Sequence, residues 1–494
     1  MKKGTNSRSK LDRRQLLKGV AAVGVASAMQ ELPVTWTAAE KDEPLIEGYT
    51  DQLSYQAGDR IRFHISSSSK KYSVEVRRAG AREETVWTKR GLPGVRQDSP
   101  DNAATHGCQW PVAFALPVPR EWPSGYYRVI LRGDGKDGPT GEAFFVVRSG
   151  QPGRNAKILL QLATNTYNAY NIWGGTNLYG GKKGQGTRVS FDRPYAGFAK
   201  ADNFTNLYSG WRRWEEPFVQ WMERAGYQVD FAVNSDLEFH PEILKGYRLV
   251  LSIGHDEYWS SPMRDHLEEF IAKGGNAAFF SGNTAFWQVR SESDGRALAS
   301  FKQNFRKDPL YDGKENKLLS GMWSHRLIGR PENQLTGVSF AWGGYHRFFD
   351  LFKDGAGAYT IHRPDHWIFV GTELKRGALL GGKHKIVGYE CDGCDFVLKD
   401  GLPMPTHKDG TPENFAILGT CPAGLSKSDN SIGWVEDALW DKKKKHPQPG
   451  AAVLGCYTRG GTVVTTGCTE WVRGLQGKDP AIERITRNIV DRLS

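Results

Sequence analysis

Between residues 46 and 150, apolar and polar residues alternate in short runs broken by turns. Arg60-Ile61-Arg62-Phe63-His64-Ile65 and Tyr72-Ser73-Val74-Glu75-Val76 have the period of two that half-buries a strand. Tyr126-Tyr127-Arg128-Val129-Ile130-Leu131 and Ala143-Phe144-Phe145-Val146-Val147 are aromatic and β-branched runs of strand length. Turn residues at Ala57-Gly58-Asp59, Pro123-Ser124-Gly125 and Gly133 to Gly138 punctuate them, and no helical period intervenes. The pattern predicts an all-β, immunoglobulin-like sandwich over residues 46–150, with the polar Ser149-Gly150-Gln151-Pro152-Gly153 as a linker.

From residue 154 to 494 the texture changes. Lys157-Ile158-Leu159-Leu160-Gln161-Leu162, Arg248-Leu249-Val250-Leu251-Ser252-Ile253 and Asn276-Ala277-Ala278-Phe279-Phe280 read as strands. Helical patterns at Glu216 to Ala225 and Ser261 to Lys273 alternate with them, the second opening on Ser-Ser-Pro and stopping at Gly274-Gly275. Thr462 to Thr466 and Ala481 to Leu493 repeat strand and helix at the end. Strand, helix, strand implies parallel strands joined by crossovers, so residues 154–494 are expected to form one doubly wound α/β domain with large insertions. The Gly-rich stretch Gly174 to Gly186 is too long for a tight turn and is a candidate lid.

A chain of 494 residues exceeds one ordinary hydrophobic core, in keeping with two folded units. The formal charge of +11 suggests nucleic acid until the N-terminus is set apart. Residues 1–39 hold seven Lys or Arg against two acids, leaving 59 bases against 53 acids, a net of +6, in the remainder. That is mild for this size, and the basic run Lys442 to Lys445 reads as a solvated loop, so nucleic acid is set aside as a partner. Residues 1–39 themselves carry paired arginines at Arg13-Arg14 ahead of an apolar stretch of small residues, Gly19 to Met29. This is the pattern of a twin-arginine signal peptide, which makes the export machinery a partner and a periplasmic or secreted location the expectation. No stretch is long and apolar enough to be a stable membrane span. Among six cysteines only Cys391 and Cys394 are close, and without a second pair they read as a local disulfide or two free thiols rather than a zinc site.

In an open parallel sheet the ligand lies beyond the carboxyl ends of the strands. After the first strand comes Thr164-Asn165-Thr166-Tyr167-Asn168-Ala169-Tyr170, after the next Gly254-His255-Asp256-Glu257-Tyr258-Trp259, and after the third Ser281-Gly282-Asn283-Thr284. His255, Asp256 and Glu257 together offer a metal ligand, a base and an orienting partner, or simply a helix N-terminus whose acids complement the dipole. There is no G-x-S-x-G elbow, no H-E-x-x-H, and no G-x-G-x-x-G after the first strand, which speaks against covalent acyl chemistry, a zincin and a dinucleotide enzyme.

Seven strings carry a resemblance: YNAYNIWGGTNLY from Tyr167 to Tyr179, SFDRPY from Ser190 to Tyr195, DLEFH from Asp236 to His240, LSIGHDEYW from Leu251 to Trp259, SGNTAFWQ from Ser281 to Gln288, GYECD from Gly388 to Asp392, and GTVVTTGCTEWVRGL from Gly461 to Leu475. Together they resemble, in order, the C-terminal domain of the N,N-dimethylformamidase large (beta) subunit family. The resemblance implies a glutamine-amidotransferase-like α/β fold and a mononuclear Fe(III) site. Its ligands would be Tyr170, Tyr195 and Glu257, with His255, Asn283, Glu390 and Lys302 as catalytic residues. It implies metal-dependent hydrolysis of a C–N bond in a small amide; a homo-oligomer is compatible with it. The chain is shorter than the namesake, carries an export signal and contains nothing matching a small subunit, so the amide is expected to differ from dimethylformamide. A reading of another class is a non-catalytic carbohydrate-binding or cell-envelope protein with a degenerate α/β domain, in which exposed Trp211, Trp214 and Trp342 stack on sugar rings.

Overall fold

The computed structural model describes residues 44–196, 210–349 and 351–494. The segment 1–39, read as an export signal, lies outside the described residues. Among the described residues no helix is long and apolar enough to cross a membrane.

The strands from Ile46 to Val147 form two sheets. One joins Ile46–Thr50, Arg60–Ser67 and Phe114–Pro117; the other runs in the order Ser54–Tyr55, Thr140–Val147, Gly125–Gly133, Lys71–Ala79, Glu84–Pro93. Strand alternation decides which residues meet. Ile61, Phe63 and Ile65 close one core with Val74, Val76, Tyr127, Val129 and Phe145. Tyr126, Phe144 and Val146, on the other face of the larger sheet, belong instead to the core of the rest of the chain. There Tyr126 stacks on Trp211 with centroids 4.1 Å apart, and Arg78 pairs with Glu223 at 2.7 Å.

Nine strands make the central sheet of the second part. Val229–Val233, Ile158–Leu162, Leu249–His255, Asn276–Gly282 and Gly461–Thr465 lie side by side and parallel. Along Leu249–His255, Leu249, Leu251 and Ile253 face one core and Val250 the other, and along Asn276–Gly282 the pairs Ala278, Phe280 and Ala277, Phe279 divide likewise. Phe218 and Met222 of the helix Glu215–Arg224, with Ile482, Ile485 and Ile489 of the helix Pro480–Leu493, cover the first face. Met263, Leu267 and Ile271 of the helix Ser261–Ala272 cover the second.

The expected fold class, a doubly wound, glutamine-amidotransferase-like α/β domain behind an immunoglobulin-like sandwich, is corrected by this arrangement. Among the described residues strand exceeds helix, and the sheets are several, with parallel and antiparallel pairs mixed. Beyond Gly461–Thr465 the central sheet turns antiparallel through Gly450–Arg459, Ala416–Ala423, Tyr359–Ile361 and Leu379–Leu380. The reason is local: Gly460 at φ +75° turns Gly450–Arg459 straight back into Gly461–Thr465, so no helix separates them. Between residues 282 and 416 the chain adds short strands and 3-10 turns, and the helix Ser431–Trp440 joins the antiparallel pair Ala416–Ala423 and Gly450–Arg459 instead of making a parallel crossover. The exposed tryptophans are corrected as well. Trp211 and Trp214 are 1% exposed, sealed under the sandwich and the helix Glu215–Arg224, and Trp342 is half-buried against His446. All six cysteines are buried free thiols, Cys391 and Cys394 included.

Candidate active site

The parallel strands deliver polar residues to one end of the sheet because their apolar runs stop there. Leu249–His255 is buried throughout, and at its end Gly254 takes φ +75° with Trp214 so close that a Cβ would lie 2.2 Å from the Trp214 Cβ. Only glycine fits that bend, which comes one residue before the strand ends at His255. No helix starts here. Tyr258–Ser260 forms a short strand parallel to Trp287–Glu292, pairing Tyr258 with Trp287, and Ser260 caps the following helix through the Met263 N–H. The alternative of a helix N-terminus at His255 to Glu257 is therefore not what the chain forms. Asp256 points back under the sheet, where Ser252 Oγ, Gln161 Nε2 and Asn234 Nδ2 donate to it at 2.8, 3.0 and 3.3 Å.

His255 and Glu257 project the other way. His255 Nε2 lies 2.7 Å from Glu390 Oε2 and 3.4 Å from Glu257 Oε2, and all three side chains are buried. Glu257 is held on both oxygens: Trp287 Nε1 donates to Oε1 at 2.7 Å and the Tyr179 hydroxyl to Oε2 at 2.7 Å, while its N–H donates to Thr166 Oγ1 at 2.9 Å. Tyr258 donates to the Tyr179 hydroxyl at 2.9 Å, and Tyr170 lies 4.3 Å from Tyr179 between ring centroids. Tyr170, Trp214 and Tyr389 surround the His255 ring at 5.6, 5.8 and 5.8 Å. Lys302 Nζ sits 3.1 Å from the centre of the Tyr179 ring, a buried cation over an aromatic face.

Burial sets the acid–base character of the group. It pushes the phenols of Tyr170, Tyr179 and Tyr258 well above 10, and the negative Glu257 nearby adds to the effect. Glu390 is raised, burial first and Glu257 adding, against the opposing pull of His255 and a hydrogen bond from the Asn283 side chain. Lys302 is driven down to about 7 by burial, with Glu257 and Glu390 working against the fall.

Asn283 follows the strand Asn276–Gly282, and its N–H donates to Asp392 at 2.8 Å. Of the seven residues expected from the sequence, six are gathered here: Tyr170, His255, Glu257, Asn283, Lys302 and Glu390. Tyr195 keeps other company. Its ring packs on Phe144 at 5.3 Å, and the charges acting on its phenol are those of Arg193 and Arg296, not Glu257. Sequence reasoning passed over Tyr179, Tyr258, Trp287, Tyr389 and Asp392. All five lie inside the resembling strings, but nothing in spacing alone marks which aromatic turns inward. The Gly-rich stretch is what brings Tyr179 in, with Asn177 Nδ2 donating to Tyr170 O at 3.0 Å and Asn177 Oδ1 accepting from the Tyr179 N–H at 2.8 Å.

Among the described residues no group of three or more His, Cys, Asp or Glu side chains is arranged to hold a metal ion. The phenol oxygens of Tyr170 and Tyr179 and the carboxylate of Glu257 are hard donors in chemical type. Among the described residues Lys302 is a cation whose charge interacts with both Glu257 and Glu390, and burial works against that charge.

A family model described as N,N-dimethylformamidase beta subunit-like, C-terminal, matches residues 73–485. The N,N-dimethylformamidase beta subunit of Paracoccus aminophilus is 24% identical over 449 residues, which is 78% of this chain and 54% of that protein. The beta subunit from an Alcaligenes species is 24% identical over 453 residues with the same coverages, 78% and 54%. The chain thus spans about half the length of the curated relatives it matches. Among solved structures, a beta-D-glucuronidase from Dictyoglomus thermophilum aligns over 47% of this chain and 43% of that one, at 9% identity and a TM-score of 0.14, too slight a likeness to bear on fold or function.

Proposed function

Because the chain belongs to the N,N-dimethylformamidase beta subunit-like, C-terminal family, we propose that it is a metal-dependent hydrolase that cleaves the C–N bond of a small amide. The observation that carries the reading is His255 set between two buried carboxylates, 2.7 Å from Glu390 and 3.4 Å from Glu257, where the parallel strands end. In the reaction one water adds to the carbonyl carbon, the C–N bond breaks, and a carboxylic acid and an amine leave. A proton must come off the water and another must reach the amine nitrogen. The His255–Glu390 pair suits this transfer, since Glu390 is a carboxyl raised by burial and its partner is an imidazole within hydrogen-bond distance. The Asn283 side chain gives one amide hydrogen to Glu390, which leaves its second for the oxygen that becomes negative, and Lys302 brings the neighbouring positive charge. Tyr170, Tyr389 and Trp214 around His255 favour small substituents on the amide and exclude bulk water.

Tyr170, Tyr179 and Glu257 would hold the ion, and their hard oxygens suit Fe(III). When bound, such an ion supplies Lewis-acid polarisation and acidifies a water. The test is elemental analysis and a visible spectrum of protein purified from its native host, followed by amine release from N,N-dimethylformamide and a panel of other small amides. Near-stoichiometric iron with a tyrosinate charge-transfer band and turnover of at least one amide is expected. A colourless protein that cannot be reconstituted and releases no amine from the panel overturns the reading.

We also propose export through the twin-arginine route, on the strength of Arg13-Arg14 and the apolar stretch after them. Replacing both arginines by lysine is expected to trap the protein in the cytoplasmic fraction; unchanged fractionation removes the proposal.

A further inference from the structure

Asp392 meets the catalytic group through the main chain of Asn283. We infer that Asp392 is a positioning residue that holds Asn283 in the backbone conformation from which its side chain reaches Glu390. The inference rests on the hydrolase reading above for the role of Asn283.

Asn283 sits at φ +51°, in the left-handed region, where a residue other than glycine pays about 1 kcal/mol unless its surroundings hold it. Asp392 supplies that hold. Its Oδ1 accepts the Asn283 N–H at 2.8 Å and its Oδ2 the Thr284 N–H at 3.1 Å, so both carboxylate oxygens are committed to one turn. Ser281 Oγ and Thr284 Oγ1, 2.8 Å apart, close the turn from the other side. The source of the carboxylate is informative. Glu390 and Asp392 lie two apart on the buried strand Glu390–Gly393, so they leave it on one face. Glu390 engages the Asn283 side chain while Asp392 engages its main chain. The strand passes so near that a Cβ on Gly282 would stand 2.6 Å from Glu390 O and 2.7 Å from the Thr469 N. One strand therefore fixes the proton-transfer carboxyl and the amide donor relative to each other.

The experiment is a double-mutant cycle on the full chain, with the best substrate of the amide panel. Asp392→Asn keeps shape but turns an amide NH2 toward one of the two N–H donors. It is expected to lower kcat by about tenfold or more with KM within about twofold. In an Asn283→Ala background, where there is no side chain left to position, the same change is expected to cost kcat less than about twofold. Additive losses, or an effect on KM alone, overturn the inference. Amide hydrogen exchange gives an arm that needs neither activity nor a folded variant. In the unsubstituted protein the Asn283 and Thr284 N–H groups are expected to exchange as slowly as the core of Asn276–Gly282, and fast exchange at these two overturns the inference even if no amide is turned over and the hydrolase reading itself fails.

Discussion

Tyr179 and Glu257 are 78 residues apart in the chain and 2.7 Å apart at the hydroxyl and Oε2. The contact joins a Gly-rich loop to a strand end, and with Trp287 Nε1 on Oε1 it engages both oxygens of Glu257. Glu257 is thus oriented by two side chains of the protein itself, the kind of support that the proposed ion site calls for.

Glu257→Gln removes the anionic donor, and Tyr179→Phe removes the hydroxyl that orients it. Both are expected to bind less metal, the first losing it nearly completely and the second by about 10- to 100-fold in affinity. Elemental analysis after dialysis checks this, and a fully loaded, fully active Glu257→Gln protein ends the assignment.

Glu390→Gln keeps an acceptor beside His255 but abolishes the exchangeable carboxyl proton. The expected loss in kcat is on the order of 10²–10⁴-fold, with the melting temperature little changed. Wild-type turnover in this variant would remove Glu390 from proton transfer.

Lys302→Met replaces a buried ammonium by an apolar chain of similar length. Activity is expected to fall by about 10- to 100-fold, while thermal stability is maintained or rises, because burying an ion is costly. A variant that loses stability but not activity would make Lys302 a structural residue.

Glu332 lies outside the site but is fully buried, accepting from Ser339 Oγ at 2.7 Å, and burial pushes its carboxyl from 4.5 up to about 8. The folded chain keeps a proton that the unfolded chain releases near 4.5. Its stabilising contribution is therefore complete below that pH and is lost as pH rises through about 8. Glu215 and Asp392, each raised to about 7 by burial, act in the same direction. Glu332→Gln cannot ionise. Its melting temperature is expected to match the wild type near about pH 5 and to exceed it by a growing margin toward about pH 8. A constant difference across that range contradicts the assignment.

Gly254→Ala tests the bend that precedes His255. With φ +75° and Trp214 Cβ only 2.2 Å from the new methyl position, the cost is expected to be about 2–4 kcal/mol in chemical denaturation. A neutral result would mean that the strand end is more adaptable than its packing indicates.

What the sequence determined by itself was local or linear. Period-two runs placed strands such as Arg60–Ser67 and Gly125–Gly133, and helical periods placed Glu215–Arg224, Ser261–Ala272 and Pro480–Leu493 to within a residue or so. The change from apolar to polar at the ends of Ile158–Leu162, Leu249–His255 and Asn276–Gly282 marked where the candidate site residues are brought together. The strings around His255, Asn283 and Glu390 marked the family. Only the tertiary structure decided the rest. Whether Gly461–Thr465 receives a crossover helix or an antiparallel neighbour depends on one glycine turn and on which edge of the sheet is free, and neither is visible as a period. The burial of Trp211 was set by Tyr126 stacking over it and that of Trp214 by its packing on Gly254 and His255, which composition does not show. Most of all, choosing Tyr179 over Tyr195 as the neighbour of Glu257 required knowing how a Gly-rich loop folds back over strand ends. A phenol reads the same in sequence whether it packs on Phe144 or donates to a carboxylate, since only the path of the backbone in space aims it.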